Sequence, residues 1–154
     1  MSTPMSKPYK IPRSTLVVIH TRSLDVLLIE RADHPGYWQS VTGSQDEGES
    51  LIETAMREVN EETGIDMPAD AFCDWNQQSV YEIYPVWQHR YPPGVTHNTE
   101  HVFSLMVPER VAVRLNPREH LQHVWLGTSQ AAPLCFSWSN REAISQLEAR
   151  VGRR

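Results

Sequence analysis

The chain has 154 residues, enough for one compact domain and too few for two of ordinary size. With 40% hydrophobic and 21% charged residues its composition is globular, and its longest apolar runs, Leu16 to Ile19 and Val26 to Ile29, are too short to span a bilayer. A formal net charge of −5 argues against binding to nucleic-acid phosphates, though not against a small phosphorylated substrate met through a divalent cation.

In chain order, residues 1–10 carry Pro4 and Pro8 and no apolar core, so they read as an N-terminal arm rather than a secretory leader. Residues 11–154 then form a single domain of a cytoplasmic protein. Ser14 to His20 reads as a strand and Val26 to Glu30 as its partner. A turn-rich loop, Ala32 to Tyr37, leads to a short strand, Trp38 to Val41, which enters Thr42-Gly43. Leu51 to Thr63 is the clearest helix. Ser50 with Glu53 makes a capping box, Gly64 is a C-terminal stop, and Ile52, Ala55, Met56 and Val59 recur on one buried face. Phe72 to Tyr84 and His101 to Val107 read as strands, Val111 to Leu115 as a third, and Val124 to Leu126 as one more. Ser139 to Val151 closes the chain as a helix. Strands with one central and one terminal helix predict a mixed sheet between helical layers. Cys73 and Cys135 have no nearby partner and read as partly buried thiols, with no disulfide or zinc site implied.

The central helix carries the chemistry. Glu58 and Glu62 are four residues apart and share one strip beside the apolar face, while Glu61 points further toward solvent. Three carboxylates within five residues repel one another by a few tenths of a kcal/mol per pair. A plain charged helix face accounts for them as a group. For the glutamates alone that is the commoner explanation; a hard divalent cation such as Mg²⁺ is the other, because it takes carboxylate oxygens and keeps several waters. Arg57 reaches Glu53 and Glu61 at helical spacing and holds acidic side chains in place.

Gly43-Ser-Gln-Asp-Glu-Gly-Glu49 followed by Arg57-Glu58-Val59-Asn60-Glu61-Glu62-Thr63-Gly64-Ile65 resembles the Nudix box at every fixed position. The resemblance implies an α/β fold, an α/β/α sandwich around a mixed β-sheet, and cleavage of a phosphoanhydride in a nucleoside-diphosphate-like substrate. It implies catalytic roles for Arg57, Glu58, Glu61 and Glu62, with Glu58 and Glu62 as metal ligands. Mg²⁺ is the implied cofactor, with Mn²⁺ as a substitute.

Outside the box, Trp38-Gln-Ser-Val-Thr-Gly-Ser44, Arg90-Tyr-Pro-Pro-Gly-Val-Thr96, Asn98-Thr-Glu100, Glu119-His-Leu121, Trp125-Leu126 and Ser137-Trp-Ser-Asn-Arg141 are similar to a bacterial Nudix subgroup that acts on a pterin triphosphate. That likeness implies dihydroneopterin triphosphate as substrate, monophosphate and pyrophosphate as products, and a step in folate biosynthesis. It also implies a third metal ligand at Glu119 and substrate contacts at Lys10, Arg31, Thr42 and Ser137. The expected partner is a small pterin or nucleoside triphosphate, with no nucleic acid, membrane or protein partner. Five tryptophans read mostly as core, with Trp38 and Trp138 walling a pocket for a flat heterocycle.

Three competing readings bear on this. His97-Asn-Thr-Glu100-His101 has the spacing of a zinc helix motif, but the segment leads into a strand. There the two histidines stand about 13 Å apart, too far for one ion. A phosphate-ligand sensor without catalysis is expected to lack box glutamates, and here all are present. A broad nucleoside-triphosphate pyrophosphatase, of the dATP or damaged-nucleotide kind, shares the box, and pterin and purine rings have similar polar edges.

Overall fold

Leu16, Val17, Val18 and Ile19 are buried on both faces of β1 (Arg13–Thr21), which makes it a central strand. The computed structural model describes residues 8–151, so most of the expected N-terminal arm lies outside the described residues. β1 runs parallel to β6 (His97–Val107), with Arg13 opposite Thr99 and Thr21 opposite Val107. β6 pairs antiparallel with β5 (Phe72–Glu82). On its other edge β1 changes partner. His20 pairs with Val26 of β2 (Asp25–Arg31), whereas Ser14 to Val17 pair with β4 (Val41–Ser44). β2 in turn pairs antiparallel with β3 (Trp38–Gln39) and β7 (His120–Gly127). The mixed sheet therefore splays where β2 leaves β1, and a cleft opens at that end.

Alternate residues of β1 feed two cores, as the two-residue period of a strand requires. Val17 and Ile19 meet Ala55 and Val59 of α1 (Leu51–Thr63), together with Leu27, Ile29 and Phe103. Leu16 and Val18 meet Ala131 of α2 (Thr128–Leu134) and Ala143, Ile144 and Leu147 of α3 (Trp138–Val151), together with Val26, Leu28 and Val102. The result is the α/β/α sandwich expected from the sequence. Helix α3 is also pinned to the strand connection across the sheet. Asn140 accepts from the Ser40 N–H at 2.7 Å and donates to Ser40 Oγ at 3.0 Å, with both residues buried.

The bounds of α1 are those read from the sequence, because short-range hydrogen bonds set them. Ser50 Oγ accepts from the Glu53 N–H at 3.3 Å, and Glu53 accepts from the Ser50 N–H at 2.9 Å. Gly64 adopts φ 75°, a conformation that favours glycine, and donates its N–H to Asn60 O at 2.9 Å. The buried face differs from the expected one. Ile52 and Met56 are half-buried, while Thr54, Glu62 and Thr63 join Ala55 and Val59 inside.

Other expectations need correction. Val111 to Leu115 is not a strand. Its alternating Val111, Val113 and Leu115 pack on the α1 side core, but it bonds the end of α1, with the Arg114 N–H donating to Thr63 O at 2.8 Å. Helix α2 and the 3₁₀ turns Ala69–Ala71 and Pro85–Arg90 have no counterpart in the sequence reading. Their short apolar patterns hold no full helical period. The histidine pair does fall on a strand, with His97 opposite Glu82 and His101 opposite Gln78, which removes the zinc-helix reading. Cys73 is exposed and only Cys135 is buried.

Candidate active site

The splayed sheet, the C-terminal half of α1 and the start of α3 enclose a cleft of about 670 Å³. Lys10, Arg31, Thr42, Glu58, Glu61, Glu62, Glu119 and Ser137 all line it, so the structure brings together residues spread over most of the sequence. Arg57 stands behind them.

Glu62 is the most constrained group in the cleft. It is 4% exposed, and its Oε2 has no hydrogen-bond partner. Its Oε1 lies 3.5 Å from Nε2 of His120, itself buried. Burial holds His120 down at about 4, so the imidazole is neutral at pH 7 and offers no compensating charge. The Glu62 carboxyl is pushed well above its ordinary range by burial, then by the adjacent Glu58 and the charge of Glu119, with Arg31 opposing. An orphaned buried carboxylate oxygen beside two further carboxylates fits a hard divalent cation. Glu58 is the natural second donor. Glu119 is exposed on the far wall, where its backbone O accepts from the Ala32 N–H at 2.9 Å. Among the described residues no three His, Cys, Asp or Glu side chains form a ready metal cage. The carboxylates therefore face one cleft without closing around a point.

Gly43 explains why the box opens on glycine. β4 passes directly under α1, and a Cβ at Gly43 would overlap Cδ and Cγ of Glu58. Only a residue without a side chain lets Glu58 lie across the strand.

Arg57 organises the acidic side chains differently from expectation. It does not pair with Glu53, whose carboxylate is taken by the Ser50 N–H. Its Nε and Nη2 instead grip Glu49 at 2.8 and 3.0 Å, Nη1 reaches Glu58 at 2.7 Å and Glu61 at 3.3 Å, and Nη2 also donates to Ser44 O at 3.0 Å. Hydrogen bonds from Arg57 hold the Glu49 carboxyl down at about 2. A carboxyl depressed in the folded state contributes stability above its ordinary pKa of 4.5 and loses it as pH falls through about 2. Arg57→Gln is expected to cost about 2 kcal/mol at pH 7, a difference that narrows below pH 4.5. Chemical denaturation of both proteins across pH tests this, and a pH-independent difference would refute it.

The cations stand opposite the carboxylates. Arg31 is held by Asp33 through two 2.8 Å bonds and by Gln39 at 3.2 Å, and its guanidinium lies 4.2 Å from the Trp87 ring centroid. Lys10, tied by its N–H to Arg90 O at 2.9 Å, is lowered by burial and by the charges of Arg90 and Arg31, against the opposite pull of Glu58 and Glu62. Thr42 Oγ1 accepts from Gln39 at 3.2 Å, and Ser137 Oγ accepts from the Asn140 N–H at 3.3 Å in the first turn of α3.

Aromatic rings line the cleft beside these cations. Tyr37 stacks on Phe136 at 4.5 Å, and Phe136 meets both Trp87 and Tyr84 edge-on. Of the two tryptophans expected in the wall, Trp138 lines the cleft and Trp38 does not, since it packs against the α3 side core. Trp87 takes its place, carried in by the 3₁₀ turn Pro85–Arg90. Of the five, Trp75 is fully core. Sequence reasoning gave no site role to His120, Arg90, Asn98 and Glu100, although all four lie in the resembling segments, and it missed Tyr81. Asn98 and Glu100 fell within a segment that resembles the subgroup but were given no role there; a further signal was two polar residues at strand spacing beside an apolar continuation.

The model of the NUDIX domain matches residues 10–147. This chain belongs to the Nudix family. Nudix hydrolases act on small phosphorylated substrates with a divalent metal. The chain is 46% identical over 144 residues to dihydroneopterin triphosphate diphosphatase of Escherichia coli K12, covering 92% of this chain and 95% of that protein. It is 37% identical over 141 residues to the Haemophilus influenzae protein of the same name, covering 90% and 88%. The solved structure of the E. coli dihydroneopterin triphosphate pyrophosphohydrolase superposes with a TM-score of 0.86 at 46% identity, covering 91% of this chain and 97% of that one. Among the described residues no helix is long and apolar enough to cross a membrane.

Proposed function

We propose that this Nudix hydrolase converts dihydroneopterin triphosphate and water into dihydroneopterin monophosphate and pyrophosphate. The observation that carries this reading is a single cleft in which carboxylates, cations and aromatic rings all meet, in a space sized for a ring with a phosphate tail. The likeness to the E. coli and H. influenzae diphosphatases supports it.

Glu58 and Glu62 would hold the divalent cation, with Glu119 as a further ligand, and Mg²⁺ would be the ion with Mn²⁺ as a substitute. The cation supplies charge neutralisation along the phosphates and favours attack by water. Lys10 and Arg31 take phosphate oxygens, Arg31 being held in place by Asp33. Thr42 and Ser137 meet polar edges of the substrate. Glu61, more exposed than its neighbours and raised by burial and by Glu58, orients the attacking water. Arg57 is a positioning residue, fixing Glu58 and Glu61 from behind. Water adds to the α-phosphorus and gives up its proton to solvent, the α–β bridging P–O bond breaks, and pyrophosphate departs with the electron pair. We place the domain at residues 11–154 and the reaction in the cytoplasm.

Side-by-side assay is expected to give a higher kcat/KM for dihydroneopterin triphosphate than for dATP or GTP, with pyrophosphate as the released product. A preference for dATP, or stepwise release of orthophosphate, would replace this reading with a general nucleotide pyrophosphatase.

A further inference from the structure

On the β6 face that packs toward α3, the apolar run of Leu16, Val18 and Val102 turns polar at the cleft: Ser14 on β1 stands opposite Glu100 on β6, with Asn98 two residues away. Glu100 is 3% exposed and Asn98 1%. Glu100 Oε1 accepts from Ser139 Oγ at 2.9 Å, and its Oε2 accepts from no described residue. Asn98 Nδ2 donates to Ser14 Oγ at 2.8 Å and to Tyr81 Oη at 3.0 Å, which fixes the amide and leaves Oδ1 buried without a partner. Among the described residues, no box residue and no cation bonds this pair. Asn98 Oδ1, buried and unpaired, and the Glu100 carboxylate thus share one buried recess of the cleft.

Buried acceptors left unpaired are costly, so a ligand that fills this recess is selected for donors. A carboxylate matches two parallel N–H groups. The pyrimidine-like edge of a pterin offers this pair, a ring N–H beside an exocyclic amine, and so does guanine. Adenine offers an amine beside a bare ring nitrogen, which a carboxylate repels.

We propose that Glu100 is the specificity-determining residue of this site, accepting the adjacent ring N–H and amino donors of a pterin, with Asn98 Oδ1 as a further acceptor and Ser139 positioning the carboxylate. This rests on the pterin reading above for its substrate, but the donor–donor edge it recognises is shared with guanine and can be tested without a pterin. Burial lifts the empty Glu100 carboxyl to about 7, and the tyrosine phenols nearby, Tyr81, Tyr84 and Tyr91, feel its charge. Two N–H donors from a ligand would favour its ionised form.

The test is substrate discrimination by Glu100→Gln, which keeps shape and replaces one acceptor by a donor. Wild-type protein is expected to hydrolyse dihydroneopterin triphosphate best and GTP better than ATP. In the variant, kcat/KM for the pterin substrate is expected to fall about 100-fold, mainly through KM, and the GTP-to-ATP ratio to fall at least about 10-fold. Glu100→Asp keeps both acceptor oxygens and is expected to keep the wild-type order of preference with raised KM. It serves if Glu100→Gln fails to fold in a thermal melt. Equal losses for all substrates, an unchanged GTP-to-ATP ratio, or a reversed order in Glu100→Asp would overturn the assignment. A wild-type preference for ATP over both the pterin and GTP would overturn it together with the pterin reading. A wild-type preference for GTP over the pterin, lost in Glu100→Gln, would overturn the pterin reading alone.

Discussion

Glu62→Gln is expected to lower turnover by on the order of 1,000-fold while leaving the fold intact. Glu62 sits at the bottom of the cleft with one carboxylate oxygen unpaired, a neutral His120 beside the other, and Glu58 crowding it. Arg31 and Lys10 offset its charge only in part, so a bound cation would sustain its ionisation. The amide removes that charge and with it the affinity for the ion. Stability gives an independent readout. A carboxyl whose pKa is raised by folding binds more protons folded than unfolded, so metal-free stability declines as pH rises above its ordinary 4.5. Glu62→Gln should flatten that slope and melt no lower than wild type without metal. Added Mg²⁺ should raise the Tm of the wild type and not that of the variant. Glu119→Gln should lose less activity, because that side chain is exposed on a loop and the waters and phosphates of an octahedral shell can replace it. A wild-type rate for Glu62→Gln, or an undiminished Mg²⁺ shift in its Tm, would remove Glu62 from the metal site.

Gly43→Ala should act on the same centre from the other side. The added Cβ would occupy the space of Glu58 Cδ and Cγ, so either the carboxylate swings away or β4 and α1 move apart. Overpacking of this kind costs about 1–3 kcal/mol, and displacing a ligand by about 1 Å costs about 100-fold in rate. The variant should therefore need more Mg²⁺ for half-maximal activity and show a reduced kcat even when saturated. Gly127→Ala is the control. Its Cβ would meet no atom within 4 Å, and it should be neutral in rate and melt. If Gly43→Ala matched that control, the close approach of Glu58 to β4 would have no part in function.

What the sequence determined by itself lies within short range along the chain. The capping box of Ser50 and Glu53, the glycine stop at Gly64, and the four-residue spacing of Glu58 and Glu62 set α1 and its acidic strip, because each depends on partners no more than four residues away. The apolar run of Leu16 to Ile19 likewise made β1 legible as a strand, and its central place came from the structure. Tertiary structure alone decided what those groups meet. Arg57 chose Glu49 over Glu53 because the loop before α1 folds back onto the helix. Glu62 became buried rather than merely lateral because His120 is brought over it by β7, which pairs with β2. Gly43 came under Glu58 because β4 displaces β2 from the edge of β1. The recess of Asn98 and Glu100 exists only where β6 lies beside β1 and α3 brings Ser139 to it, 39 residues on in the chain. Contacts of that kind depend on register and packing between distant segments. Local residue spacing holds no record of them.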